Sequence, residues 1–265
     1  MRKALLTAAM TAWMNLVSVF PGLAQEQHAE EPPQQTVKAA AAGDDPPHKY
    51  NLTLGLTGTT DYAARRGFVV AEGFNVQGFA NLQIKAGKGT VTLEYWGDNK
   101  DGKQIEDDGI FMYSRPVAKG KFGTLTAKGG IVHYEVHPPD FSLQEVTGSL
   151  NWTLPNGICI EAIASHDYRD GDDLGAGNVY ELLFTSPIYE RGNFSLTGAL
   201  RGVKIDGYIV SQSEFAGASL RLTTDWTFGK TKVGVYGQHF EGSGKVPAIP
   251  DSTIAGVTFS RSINF

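Results

Sequence analysis

The last stretch of the chain, Thr253 to Phe265, alternates between apolar and small or polar side chains. Counting back from Phe265 in steps of two gives a mainly apolar set: Ile263, Arg261, Phe259, Val257 and Ala255. A period of two is typical of a β-strand with one apolar and one polar face. In a soluble sheet the apolar face is buried, whereas in a membrane barrel it points outward into lipid. The stretch therefore predicts a strand, and the rest of the chain has to decide where its apolar face points.

About twelve segments show this alternation, and most have the roughly 9 to 11 residues that a tilted membrane strand requires. They cover 49–57, 74–85, 90–96, 109–115, 121–137, 143–154, 158–166, 178–186, 194–204, 216–228, 231–240 and 253–265. The segment 121–137 changes parity at Gly129 and Gly130, where we expect a β-bulge. After the first residues, no apolar run approaches the roughly 20 residues of a membrane-spanning helix, which excludes a helical bundle. The 32 glycines and the 11% aromatic content also favour strands and tight turns.

The connections between these segments alternate in length. Long connections cover 58–73, 97–108, 167–177, 205–215 and 241–251, and short ones cover 86–89, 117–120, 155–157, 188–193 and 229–230. Only the connection 138–142 has an intermediate length, where the alternation predicts a long one. Outer-membrane barrels have short periplasmic turns on one rim and longer extracellular loops on the other. The pattern predicts an all-β, transmembrane antiparallel up-and-down β-barrel of about twelve strands over residues 49–265, with the apolar face outward.

The first 48 residues have a different character. Residues 1–24 combine Arg2 and Lys3 with an apolar stretch and small residues before Gln25, which predicts a secretory signal peptide. Residues 25–48 are rich in Gln, Glu, Pro and Ala and lack aromatic residues, which predicts a disordered periplasmic tail. Without Arg2 and Lys3 the chain has 21 basic and 28 acidic residues, a formal net charge of −7. An exported acidic chain is not expected to bind nucleic acid.

Aromatic residues fall near both ends of the predicted strands, as in the two girdles of a membrane barrel. The short-turn end has Tyr50, Trp152, Tyr189, Phe194, Trp226, Phe228 and Phe265, and the long-loop end has Tyr95, Trp96, Tyr134, Tyr168, Tyr180 and Phe240. Arg261 is the exception on the apolar face, and its nearness to Phe265 would let it reach the periplasmic headgroups.

An outward apolar face leaves the polar positions for the lumen. The charged residues predicted to line the pore are Glu94, Glu135, Glu161, Glu181, Arg201, Arg221, Asp225 and Lys232. We expect Glu181 and Arg201 at similar depth on neighbouring strands, either as a polar eyelet or as a salt bridge that braces the wall. With Lys85, Lys128 and Glu145, which also take lumen positions, six acidic and five basic residues nearly balance, so the sequence predicts weak ion selectivity.

One part of the chain permits a family comparison. It has Thr60-Asp61-Tyr62 and Arg66-Gly67 in the first hairpin, then Val76-Gln77-Gly78, and then the run from Gly89 to Trp96. In these residues the chain resembles the TorF-type family of porin-like proteins from Gram-negative bacteria. The duplicated Arg65-Arg66 and the long amino-terminal tail depart from that pattern. The resemblance implies a pore-forming protein of the cell outer membrane.

The residues and the resemblance favour a porin-like channel for passive diffusion of small hydrophilic solutes. The alternative is a non-conducting outer-membrane barrel with a structural or ligand-binding role. We expect outer-membrane lipid and lipopolysaccharide as surroundings, and contact with the barrel-assembly machinery through the strand that ends in Phe265. The sequence has no Ser in a nucleophile motif that His133, His137 or His166 could serve as a base, so no enzymatic activity is predicted. No motif indicates a cofactor or a resident metal, and the single Cys159 has no partner for an internal disulfide.

Overall fold

A computed structural model describes residues 49–63, 69–71, 73–137, 141–168, 177–207, 213–246 and 251–265. The predicted signal peptide and tail lie outside these residues. The strands are β1 (Tyr50–Thr59), β2 (Tyr62–Ala63), β3 (Val69–Ala71), β4 (Asn75–Ala86), β5 (Gly89–Lys100), β6 (Lys103–Gly120), β7 (Gly123–Val136), β8 (Phe141–Thr153), β9 (Cys159–Tyr168), β10 (Gly177–Arg191), β11 (Phe194–Asp206), β12 (Glu214–Phe228), β13 (Thr231–Gly242) and β14 (Ser252–Asn264). No helix in the described part of the chain is long and apolar enough to cross a bilayer.

Twelve of these strands form one closed antiparallel barrel, which confirms the predicted fold class. Each strand pairs with its neighbour in sequence, except that the short hairpin β2–β3 stands apart in the connection between β1 and β4. The barrel closes where β1 pairs with β14, from Asn51 with Asn264 to Thr59 with Gly256. At the rim, Tyr50 and Phe265 exchange two backbone hydrogen bonds of 3.1 Å and stack their rings 5.5 Å apart. Closure leaves no unpaired sheet edge, which is what a sheet in hydrocarbon requires.

The barrel has its apolar side chains on the outside. Leu220, Leu222 and Val257 are 49%, 46% and 40% exposed, whereas Glu145, Asp167 and Glu181 are at most 3% exposed. A side chain on the convex face of an isolated barrel has no neighbour above it, so a buried charge must point inward. Cross-strand partners share a face, and this rule places each of the other strand residues on the inner or the outer face of the barrel. The predicted outward orientation of the apolar face is therefore confirmed.

Two expectations about the connections are wrong. The predicted loop 97–108 is mostly strand, because β5 and β6 continue to a two-residue turn at Asp101 and Gly102. Both residues have positive φ, 52° and 74°, as a tight hairpin turn requires. The predicted turn 117–120 belongs to β6, and the turn itself is at residues 121–122.

The bulge predicted at Gly129 and Gly130 is also wrong, because β7 keeps continuous register with both of its neighbours there. Gly130 serves close packing instead, since a Cβ atom would lie 2.1 Å from the carbonyl oxygen of Phe111. Register shifts occur at Pro116/Ala118 and at Pro187/Tyr189. Proline has no N–H for the ladder and is tolerated in a strand at such a bulge.

Candidate functional site

The interior of the barrel is the candidate functional site, and it is lined mainly by polar and charged side chains. Seven of the eight residues predicted to line the pore have inward positions: Glu94, Glu161, Glu181, Arg201, Arg221, Asp225 and Lys232. Glu135 does not, which corrects the prediction. It shares a face with the exposed Ile131 and its side chain is 52% exposed. The missing bulge explains the error, because uninterrupted parity turns Glu135 outward.

Most of these charges are held in ion pairs along the inner wall. Arg201 Nε lies 3.4 Å from Glu181 Oε2, so the expected proximity of these two residues is present. Lys232 Nζ lies 2.9 Å from Asp225 Oδ2 on the neighbouring strand. Such pairs brace the wall and also present a polar surface to the lumen.

Glu161 has three side-chain partners on the inner wall. Lys128 Nζ lies 3.1 Å from its Oε1, Ser149 Oγ donates to the same oxygen at 2.6 Å, and Asn151 Nδ2 donates to Oε2 at 3.2 Å. These partners come from β7 and β8, while Glu161 is on β9. A buried carboxylate is stable when its oxygens are paired and hydrogen-bonded in this way.

The two remaining inward residues make other contacts. The Arg221 guanidinium lies 3.7 Å from the ring centre of Tyr236, and Arg221 Nε donates to Thr223 Oγ1 at 3.4 Å. Asn81 Nδ2 donates a hydrogen bond to Glu94 Oε2. All seven inward residues thus have a defined contact on the wall. That they contact solute stays a prediction.

Several interior acids were not predicted as pore residues. Asp98, Glu106 and Asp108 are 0%, 6% and 4% exposed, and they point inward near the end of the β5–β6 hairpin. Asp167 on β9 is 1% exposed and pairs across strands with Glu145. The stretch 97–108 resembles a polar loop in composition, and this hid its strand character. The nine charged residues that are buried in the described part of the barrel are all carboxylates, whereas the side chains of the inward cations Lys128, Arg201 and Lys232 are 12% to 21% exposed.

The long-loop end of the interior is tightly packed. Every barrel strand contributes an inward side chain that is at most 6% exposed there: Thr59, Asn75, Asp98, Asp108, Val132, Glu145, Asp167, Val179, Ile205, Ala216, Phe240 and Ile254. At the opposite rim, Gln83 and Lys85 are exposed and a small cleft of about 70 Å³ is lined by Lys49, Asn51, Gln83, Lys85 and Thr90. The interior is therefore more accessible to water from the short-turn rim.

A short segment between β13 and β14 takes part in this packing. Val246 is 2% exposed and belongs to an apolar cluster with Val179, Val203, Ile205, Ala216 and Phe240. The segment 243–246 is anchored by Ser243 N, which donates to Ala216 O at 2.9 Å, and by Lys245 Nζ, which lies 3.2 Å from Glu214 Oε2. It covers part of the interior at the long-loop end.

Part of the predicted outer aromatic girdle is inside the barrel. Trp96 packs with Phe79 and Ile105, Tyr134 donates to Glu145 Oε2 at 3.1 Å, and Phe240 belongs to the Val246 cluster. Tyr95 and Tyr168 are 54% and 50% exposed and remain on the outside. Aromatic residues at this end therefore fill the interior as well as marking the surface.

On the outer face, His166 is paired with an asparagine. His166 Nδ1 lies 3.0 Å from Asn178 Oδ1 across β9 and β10. Its nearest same-face neighbours on β8 and β9 are Val146, Ala164 and Tyr168, which supply neither a serine nor a cysteine nucleophile.

Comparisons with known proteins reveal similarity at the level of fold. The chain is similar to an outer membrane channel from Pseudomonas putida F1, with 12% identity and a TM-score of 0.52 over 84% of this chain and 100% of that chain. It is similar to the NanC porin with 8% identity and a TM-score of 0.51, over 80% and 99% of the two chains. Outer membrane phospholipase A from Escherichia coli matches with 15% identity and a TM-score of 0.47, over 80% and 92%. That score is too low to bear on activity.

Neither protein-family models nor curated proteins match the sequence. The resemblance to the TorF-type family therefore stays a prediction. The topology, the inside-out distribution of side chains and the two similar structures agree on one statement: the fold is that of an outer-membrane β-barrel.

Proposed function

We propose that the protein is a porin-like channel of the outer membrane, through which small hydrophilic solutes diffuse. The observation that carries this proposal is the reversal of polarity between the two faces of a closed sheet. Exposed Leu, Val and Phe side chains form the outer wall, and Glu161, Arg201 and Lys232 lie on the inner wall. A wall of this kind excludes lipid and offers hydrogen-bonding groups to water and to polar solutes.

The inner wall favours cations over anions. Asp98, Glu106, Asp108, Glu145 and Asp167 lie toward the long-loop end, and the ion-paired cations Lys128, Arg201 and Lys232 lie nearer the middle or the opposite end. Charged rings of one sign attract counterions and repel ions of the same sign. We therefore infer modest cation preference in place of the weak selectivity expected from the sequence.

The packing at the long-loop end supports a narrow path. The side chains buried there leave little room for solute, and Val246 of the segment 243–246 packs in the apolar cluster beside them. Displacement of Val246 from its apolar cluster would widen the path without changing the barrel wall.

The second candidate is a non-conducting barrel with a structural or ligand-binding role. The packing at the long-loop end favours it, because every barrel strand contributes a buried inward residue there. The two candidates differ in one measurable property. Purified protein in a planar bilayer should give discrete openings, and the cation preference predicts that their conductance falls more when Li⁺ replaces K⁺ than when acetate replaces Cl⁻. A refolded barrel that gives no openings over a wide voltage range would support the second candidate.

The cellular setting is part of the proposal. The exposed apolar belt requires lipid, and the closing strand β14 with Phe265 is the element that we expect the barrel-assembly machinery to bind. Fractionation should place the protein with outer membranes. Unboiled samples should migrate differently from boiled ones on detergent gels, because a closed barrel resists unfolding by detergent.

A further inference from the structure

The outer face of the β6–β7 hairpin has a group of metal-binding side chains that the channel does not use. Asp107, Glu135 and His137 each place one potential ligand atom within 4.8 Å of the others. Asp107 and Glu135 are cross-strand partners, and His137 follows two residues after Glu135 on the same face. The backbone N–H of His137 donates to Ile105 O at 2.7 Å, which fixes the chain at the end of β7.

The donor atoms indicate the class of metal. Imidazole nitrogen combined with carboxylate oxygen suits Zn²⁺ and its neighbours in the first transition row, whereas Ca²⁺ and Mg²⁺ prefer oxygen alone. His137 Nε2 lies 3.8 Å from Asp107 Oδ2, a separation that one shared cation could bring into its coordination sphere with small side-chain rotations. Three protein ligands would leave a fourth position for water or an anionic oxygen.

Neighbouring groups already orient two of the three donors. Tyr95 Oη and Gln104 Nε2 both donate to the Asp107 carboxylate, whose side chain is only 18% exposed. His133 Nε2 lies 3.3 Å from Glu135 Oε1. Partners of this type commonly hold the ligands of metal sites in place and raise metal affinity.

The position of the group on the barrel is compatible with access to metal ions. Below it on the same face are Phe111 and Ile131, which are 48% and 51% exposed and belong to the apolar belt. Asp107, Glu135 and His137 lie beyond that belt toward the long-loop rim, and the side chains of Glu135 and His137 are 52% and 37% exposed.

We propose that Asp107, Glu135 and His137 form a divalent transition-metal site on the outer wall of the barrel, with His133 as a positioning residue for Glu135. The site is separate from the lumen, so the proposal does not depend on conduction.

The test uses purified, folded protein in detergent, titrated with Zn²⁺ by calorimetry and with Co²⁺ by visible absorption. We expect wild type to bind one metal ion. His137→Ala and Glu135→Gln should each reduce the affinity of this site more than about tenfold. His239→Ala is the matched control, because His239 is also exposed and contacts Thr253 Oγ1 at 2.8 Å on another part of the wall. Heat-dependent gel migration checks that each variant is a folded barrel.

His133 has its own test. His133→Ala should weaken Zn²⁺ binding but leave the Co²⁺ absorption maximum unchanged, and His133→Gln should restore affinity because its amide can still donate to Glu135. The proposal is overturned if folded wild type binds Zn²⁺ no more tightly than His137→Ala, or if His239→Ala loses as much affinity. A shifted Co²⁺ spectrum in His133→Ala would instead make His133 a direct ligand and overturn its positioning role.

Discussion

Lys128 Nζ lies 3.1 Å from Glu161 Oε1 on the inner wall, across two strand boundaries from β7 to β9. The two side chains are 12% and 7% exposed, so each charge depends on the other for compensation. Removing only the cation would leave a buried carboxylate with two neutral donors.

We predict that Lys128→Met lowers the free energy of unfolding by roughly 3 kcal/mol, the lower end of the range for a broken buried pair. Urea titration in lipid vesicles, followed by tryptophan fluorescence, would measure the change. The double variant Lys128→Met/Glu161→Gln removes both charges and should recover most of the loss. If the double variant is as unstable as the single one, charge compensation is not what Lys128 provides.

A second prediction concerns the segment 243–246. Burial of a valine side chain contributes about 1.5 to 3 kcal/mol, so Val246→Ser should shift the balance toward the displaced segment by roughly tenfold. Planar-bilayer recordings should show a higher open probability. Val257→Ser is the control, since Val257 is an exposed valine of the outer wall. Equal open probability in wild type and Val246→Ser would rule out this segment as the restriction.

A third prediction tests the outward face. Leu220 lies near the middle of β12 and is 49% exposed, so Leu220→Arg should cost about 2 to 4 kcal/mol in a bilayer. Phe228→Arg, at the short-turn end of the same strand, should cost at most about 1 kcal/mol because the charge can reach the interface. Refolding titrations into vesicles would compare the two. Similar costs would contradict the assigned depth of Leu220.

A fourth prediction concerns barrel closure. The stacked rings of Tyr50 and Phe265 should contribute about 0.5 to 1.5 kcal/mol beyond their buried area. Phe265→Ala should therefore reduce the yield of heat-modifiable barrel in cells and lower the temperature at which gel migration changes. Phe259→Ala, on the same strand and 55% exposed, is the control. A larger effect for Phe259→Ala would exclude a special role for the closing pair.

The sequence predicts the number of strands from local alternation, and it predicts the outward direction of their apolar face from the alternation with the connection lengths. Leu220, Leu222 and Val257 follow the period of two without interruption. A sheet whose side chains face lipid must close, because an open edge would leave backbone groups unpaired in hydrocarbon. The proximity of Glu181 and Arg201 was predictable for the same reason, since hairpin neighbours in an up-and-down barrel have nearly fixed register.

Other features depend on contacts that alternation does not encode. Asp98, Glu106 and Asp108 have a loop-like composition, and only the neighbouring inner wall makes a charged strand favourable there. Trp96 and Phe240 are at strand ends, where a girdle and an interior cluster require the same residue type. The outward position of Glu135 follows from the continuous register of β7, and the sequence alone does not distinguish a glycine that permits close packing from a glycine at a bulge.

The adjacency of Tyr50 and Phe265 also has a consequence for the order of the chain. Because these residues are hydrogen-bonded neighbours, a short linker could join them without disturbing any strand. New termini could then be opened at the Asp101-Gly102 turn, so that the same barrel would begin with a different strand. A circularly permuted protein of this kind should fold, since the wall is held by neighbours all the way round and no single strand is first or last.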